Sequence, residues 1–183
     1  MLPRTPLIRF ATRSTKLVTE SLGNPAILEA IRTLLMDRSI EFREQHHEPT
    51  LTSEDAARAR GEDLRIGGKA LLMSADGAFR LFVLPADRKV DSGAIRRELG
   101  IKKMRFATRE ELHALTGLVP GSVPPFGTPV LPYPLYLDSA LRDNDRIAFN
   151  AGMLTDSIIL KMSDYLTVAA PEQIFAFSEM PLK

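Results

Sequence analysis

The sequence predicts an α+β domain with a mixed or mainly antiparallel sheet, and three observations carry that reading. Helix-like and strand-like segments do not alternate as strict β-α-β units, which argues against a doubly wound parallel sheet. Asp76-Gly77 separates two apolar runs, Lys69 to Ser74 and Phe79 to Leu84, the pattern of an antiparallel hairpin. Between Gly117 and Gly127 lie three glycines and three prolines around apolar residues. Such a segment is neither helix nor regular strand, because glycine permits positive φ while proline fixes φ and removes a donor.

The elements follow in order. Asn24 caps a helix with Pro25 at its first position, and Ile27, Leu28, Ile31, Leu34 and Leu35 mark one buried face as far as Asp37. Ile40 to His46 reads as a strand, broken by Glu48-Pro49. Thr52 or Ser53 caps a short helix, Glu54 to Arg60, closed by Gly61. Its Ala56, Ala57 and Ala59 allow close approach to a neighbour. After the hairpin, Asp91-Ser92 caps a helix from Gly93 to Leu99 with Gly100 behind it. Lys102 to Ala107 is a short strand. Thr108-Arg-Glu-Glu111 has capping-box spacing and opens a helix ending at Gly117. The proline-rich stretch beyond is an ordered loop. Leu135 to Asp138, Arg146 to Asn150 and Ser157 to Lys161 are strands, and short helices are expected at Ser163 to Leu166 and Pro171 to Phe175.

A chain of 183 residues is ordinary for one domain. Residues 24–183 are expected to form it, with 1–23 as a basic N-terminal extension carrying Arg4, Arg9, Arg13 and Lys16. That extension weakly resembles an organelle transit peptide; a plain basic arm is the preferred reading. The absence of cysteine excludes disulfides and thiolate chemistry and fits a cytoplasmic location. A net charge of +1 leaves nucleic-acid contact to a local patch. Arg96, Arg97, Lys102, Lys103 and Arg105 could form one, or could be a solvated face. No apolar stretch approaches the roughly 18 residues that span a bilayer. No heptad or spare apolar stripe suggests more than a monomer.

Few standard constellations of chemistry are present. His46 and His47 are neighbours on a strand and point to opposite faces, and His113 sits in a helix, so no metal site is expected. There is no Gly-x-Ser-x-Gly elbow, P-loop or dinucleotide fingerprint. What remains is Lys69, opening a core strand after two glycines, and the Gly117 to Gly127 loop.

These features resemble the YbaK / prolyl-tRNA-synthetase-associated domain family of aminoacyl-tRNA deacylases. The likeness runs from about Asn24 to Phe177. It rests on Pro49-Thr50, Gly68-Lys69-Ala70, Phe82 to Asp91, Gly100 to Ala107, Thr116-Gly117 through Gly127, Leu137-Asp138 and Phe149-Asn150-Ala151-Gly152. The resemblance implies a mixed, largely antiparallel, barrel-like sheet with surrounding helices and no cofactor. It implies hydrolysis of the ester joining a wrong amino acid to the tRNA 3′ end. The partners would be the 3′ end and acceptor stem of aminoacyl-tRNA, with a synthetase as a further candidate. Lys69 and Gly121 would carry catalysis. Thr50, Gly117, Ser122, Val123, Pro124, Phe126, Gly127, Asp138, Asn150 and Gly152 would shape the substrate site.

A lysine ammonium suits a phosphate-bearing end, and backbone N–H groups near glycines suit a carbonyl oxygen gaining charge. Water would attack, helped by the free ribose hydroxyl of the substrate. Two positions depart from the family pattern. Pro124 stands where some members have Ser. Asn150 stands where the alanine-specific branch has His, which argues against that specificity, since an amide is neither acid nor base near neutral pH. Asp138 has a second reading as the cap of the turn before Ser139. The alternative function is a non-catalytic module that binds a tRNA end or nucleotide.

Overall fold

The computed structural model describes residues 21–181. The basic residues of the expected extension lie outside that range, while Gly23 already pairs with Met153 in an isolated bridge. Helix α1 (Pro25–Asp37) begins where the capping logic places it, with Asn24 Oδ1 accepting from Ala26 N at 3.1 Å. It buries Leu28, Ile31 and Leu35. Strand β1 (Phe42–His46) follows, then α2 (Ser53–Arg60) with Thr52 as its cap and Gly61 in the left-handed region behind it. A 3-10 turn, Leu64–Ile66, leads into the hairpin of β2 (Gly68–Ala75) and β3 (Ala78–Pro85). Its two-residue connection, Asp76 at φ 49° and Gly77 at φ 88°, has the positive angles that suit the strand twist.

Next come β4 (Lys89–Val90), α3 (Ser92–Leu99), β5 (Met104–Phe106) and α4 (Arg109–Thr116). The capping box of α4 is complete: Glu111 N donates to Thr108 Oγ1 at 3.1 Å, and Thr108 N donates to Glu111 Oε2 at 2.9 Å. Beyond the proline-rich strap lie β6 (Leu135–Asp138), α5 (Ser139–Arg142), β7 (Arg146–Met153), β8 (Asp156–Lys161) and α6 (Met162–Ala169). The described chain closes with β9 (Gln173–Phe175) and β10 (Ser178–Glu179).

The architecture is mixed α+β. Five strands run in the order β5-β2-β3-β6-β9, three in the order β1-β8-β7, and β4 pairs with β10. All pairings are antiparallel except β3 with β6 and β6 with β9. A parallel bridge between Gly67 and Ala148 joins the larger sheets. Central strand β3 is buried on both faces, which explains its unbroken apolar run. Leu81 and Val83 enter the main core, while Phe82 and Leu84 enter a second cluster with Ile95 and Phe177.

One expected helix is a strand. Within Pro171 to Phe175, the open edge of β6 captures Gln173–Phe175 as β9: Tyr136, Leu137 and Asp138 register with Gln173, Ile174 and Phe175. The expected helix at Ser163 to Leu166 is real and longer, as α6.

Helix α1 sits tightly on the end of β7. Asn24 N donates to Gly152 O at 2.8 Å, and a Cβ on Gly152, at φ 85°, would lie 2.9 Å from Ile27 Cγ2. Gly152→Ala is therefore expected to lower stability by about 1–3 kcal/mol through combined strain and overpacking. Urea unfolding measures it, and an unchanged midpoint would show that α1 does not need this close contact.

Candidate active site

A cleft of about 250 Å³ opens where four pieces of chain meet. The loop into α2 supplies Thr50, and α2 itself supplies Ala56 and Arg60. The start of β2 supplies Lys69, β7 supplies Asn150, and the strap supplies Gly121 and Val123. Lys69 and the strap, far apart in sequence, thus share one cavity.

The strap is shaped by a tight turn from Val119 to Ser122. Pro120 and Gly121 occupy its centre, Gly121 at φ 90°, and Ser122 N donates to Val119 O at 3.0 Å. Proline followed by a positive-φ glycine is the sequence of a type II turn. The buried Ser122 hydroxyl closes it, donating to Val119 O at 2.9 Å and accepting from Val119 N at 3.1 Å. Below, the ring of Phe126 meets Phe149 and Tyr165 edge-on, each at 5.5 Å between centroids. The Tyr165 hydroxyl donates to Pro125 O at 2.7 Å.

Asn150 ties the strap to the sheet. Its Nδ2 donates to Gly121 O at 3.0 Å and to Thr50 Oγ1 at 3.2 Å. Its Oδ1 accepts from Arg60 Nη2 at 2.6 Å and from Ser157 Oγ at 3.1 Å. A guanidinium only donates and a carbonyl only accepts, so these partners fix which way the amide points. Arg60 Nε also donates to Ser157 Oγ at 2.8 Å, and His47 Nε2 lies 2.7 Å from that hydroxyl. His46 instead contacts Asp156, with Nδ1 2.9 Å from Oδ1, so the adjacent histidines serve separate networks.

Sequence reasoning missed Arg60 and Ser157. The signal for Arg60 was present: it stands three and four residues beyond Ala57 and Ala56, both buried, and so shares their helix face. The same periodicity makes Arg60 a member of the buried side, not of the solvated one.

The cavity is electropositive. Among the described residues lining it there are two cations, Lys69 and Arg60, and no carboxylate or imidazole. Burial pushes Arg60 down to about 10, with nearby Glu62 opposing. Burial likewise lowers Lys69, offset in part by Glu54 and Asp87. The Lys69 ammonium donates to the backbone carbonyl of Arg88.

Of the residues singled out from sequence, Lys69, Gly121, Thr50, Val123 and Asn150 line the cavity. Gly117, Ser122, Pro124, Phe126, Gly127, Asp138 and Gly152 are not among its lining residues. Gly117 caps α4 in the left-handed region, and Ser122 and Phe126 brace the strap as described. Gly127 packs where a Cβ would lie 2.6 Å from Tyr133 O. Asp138 accepts from Ala140 N at 2.8 Å and Phe177 N at 2.6 Å, which is the capping reading of that residue.

The basic cluster is split. All five are exposed, but Arg105 is held by Glu111 and Arg97 lies 3.8 Å from Asp91, while Arg96, Lys102 and Lys103 have no ion-pair partner among the described residues. β5 pairs with the far end of β2, about 20 Å along the strand from Lys69.

The aminoacyl-tRNA editing domain matches residues 47–168. The multifunctional Ser/Thr-tRNA deacylase ProXp-y of Escherichia coli K12 is 35% identical over 163 residues, covering 86% of this chain and 96% of that protein. Proline–tRNA ligase of Shouchella clausii is 37% identical over 100 residues, 55% of this chain and 17% of the ligase. A crystal structure of a candidate trans-editing enzyme for prolyl-tRNA synthetase superposes with a TM-score of 0.71 at 26% identity, covering 84% of this chain and 97% of that one. The chain belongs to the aminoacyl-tRNA editing domain family.

Proposed function

We propose that this protein is a trans-editing hydrolase that cleaves the ester of mischarged aminoacyl-tRNA, with the cavity at Lys69 as its site. The observation that carries the reading is the convergence of Lys69 and the Gly121 strap on one electropositive cleft. A hydroxylated aminoacyl group, serine or threonine, suits it best. The cavity offers hydrogen-bonding groups from Thr50, Asn150 and Arg60, and the relative ProXp-y carries a Ser/Thr-tRNA name. Polar sites of this kind reject analogues that lack the hydroxyl.

The reaction needs little from side chains. An aminoacyl ester is already activated, and the cavity lining supplies neither a carboxylate nor an imidazole as base. Water adds to the carbonyl carbon, assisted by the free ribose hydroxyl of the substrate, and the carbonyl oxygen gains charge. Collapse breaks the ester C–O bond, and the proton lost by the attacking water is relayed through the free ribose hydroxyl to the departing ribose oxygen. The roles left to the protein are positioning and charge stabilisation. Gly121 and Val123 line the cavity, and among the described residues no backbone acceptor engages their N–H groups. They are the donors best placed for the carbonyl oxygen. Lys69 holds the terminal nucleotide. In this reading the exposed Arg96, Lys102 and Lys103 serve the acceptor stem, a cytoplasmic tRNA being the partner. The single domain begins no later than Gly23, which pairs with Met153, and acts as a monomer, with a synthetase as a further partner.

A deacylation panel tests this. Seryl-, threonyl-, alanyl- and prolyl-tRNA are offered to wild type and to Lys69→Ala. Seryl- or threonyl-tRNA is expected to be turned over fastest, and Lys69→Ala to lose about tenfold or more in kcat/KM. Tight binding without turnover across the panel would make the protein a binding module.

The charge on Lys69 has a stability signature. A base whose folded-state pKa lies below its unfolded value costs stability while it is charged. That cost is present below the folded pKa and disappears as pH rises through it. Lys69→Met is therefore expected to melt at or above wild type at pH 7, with the gap closing toward about pH 10. A midpoint several degrees lower would make Lys69 a structural anchor.

A further inference from the structure

Arg60 is the unexplained residue of the cavity. It is 8% exposed, yet its guanidinium donates only to neutral groups, Ser157 Oγ and Asn150 Oδ1. Among the described residues no carboxylate lies within ion-pair distance of it. Glu62, whose charge is felt at Arg60, is itself bridged to Arg43 and Arg146. Burying a cation against neutral partners is unfavourable, and a methionine of similar length would fill the space without that penalty. A purely structural account therefore leaves the charge without a reason.

The contacts supply one. Arg60 Nη2 occupies Asn150 Oδ1, which forces Asn150 Nδ2 toward Gly121 O and Thr50 Oγ1. Turned by a half-rotation, the same amide would set an oxygen against the Gly121 carbonyl. Gly121 O is one side of the peptide that links it to Ser122, whose N–H closes the turn on Val119 O. Fixing that carbonyl fixes the turn, and with it the direction of the neighbouring Gly121 and Val123 N–H groups. Ser157 makes the hold two-pronged: it accepts from Arg60 Nε and lies 3.1 Å from Asn150 Oδ1. The guanidinium thus spans both of the groups that could let the amide turn.

We propose that Arg60 is a positioning residue for ester hydrolysis: acting through Asn150, it locks the carbonyl of Gly121 and so presents the strap backbone to the reacting carbonyl. The inference rests on the editing reading above. The uncompensated charge serves the same end, because a cation beside the strap favours negative charge in the cavity over the neutral ground state. Its effect falls on the transition state more than on substrate binding, and so on kcat more than on KM.

Three variants and two readouts test it. In Arg60→Met, kcat on the best-edited tRNA is expected to fall about tenfold or more, with KM within about threefold and a melting temperature at or above wild type. Arg60→Lys keeps the charge and one donor, and is expected to recover part of that loss. Asn150→Asp keeps an acceptor for Arg60 but turns an oxygen toward Gly121 O. The new ion pair with Arg60 offsets part of the lost Gly121 and Thr50 bonds, so the variant is expected to stay folded in a melting experiment at the assay temperature and to lose kcat as Arg60→Met does. Full kcat in either Arg60→Met or Asn150→Asp would overturn the proposal, and so would a loss confined to KM. The second readout needs no tRNA. Amide exchange at Ser122, whose N–H closes the turn, is expected to be about tenfold faster or more in Arg60→Met. Unchanged protection there would overturn the locking role. If wild type edits no tRNA, the editing reading fails, while the exchange experiment still decides whether Arg60 holds the strap.

Discussion

A single side-chain amide holds the cavity together. Asn150 is 8% exposed and uses both ends of its amide, reaching Arg60 and Ser157 on one side and Gly121 and Thr50 on the other. These partners come from helix α2 and the loop leading into it, strand β8 and the strap, three separate stretches of the chain. Leaving one buried member of such a network unpaired costs about 1–3 kcal/mol, so the network either forms whole or strains the fold. Thr50 is fixed again from below, its N–H and hydroxyl both donating to Leu154 O. The arrangement converts a flexible-looking loop into a wall whose backbone direction is set by the sheet.

The balance of charge in the cleft points the same way. Two cations line it with no acid among the described lining residues, which costs stability and would be removed by a fold selected for stability alone. An aminoacyl ester asks for little acid–base power and much control of charge at one oxygen. A lining without a carboxylate or imidazole still suits that bond, because the substrate carries its own hydroxyl beside the ester. The same cavity would serve a stable amide poorly.

Much of this was legible in the sequence where local chemistry decides. The Asp76-Gly77 hairpin, the Thr108–Glu111 capping box and the Asn24-Pro25 helix start are fixed within a few residues, and all three stand as read. So does the meeting of Lys69 with the strap, which came from resemblance and not from periodicity. Pairings between distant segments were hidden. Gln173–Phe175, within the segment read as a helix, is a strand because β6 offers a free edge, which no local pattern announces. Arg60 was hidden for a different reason: a short helix rich in Glu, Asp and Arg reads as solvated, and only its register with Ala56 and Ala57 betrays the buried face. Asp138, read both as cap and as site residue, is a cap because two backbone N–H groups converge on it.

The prolines of the strap acquire a chemical meaning from this geometry. Pro120, Pro124 and Pro125 have no N–H to give, so donors in the stretch from 120 to 125 are confined to Gly121, Ser122 and Val123. Ser122 spends its N–H on closing the turn. Two donors are left, on residues that line the cavity, with rigid neighbours on either side. A loop of ordinary composition would present more N–H groups in less certain directions, and each would have to find a partner or a water when the site is empty. Removing donors is therefore as much a part of the design as supplying them. That is why the segment combines glycine, which lets the backbone turn, with proline, which leaves it only one way to do so.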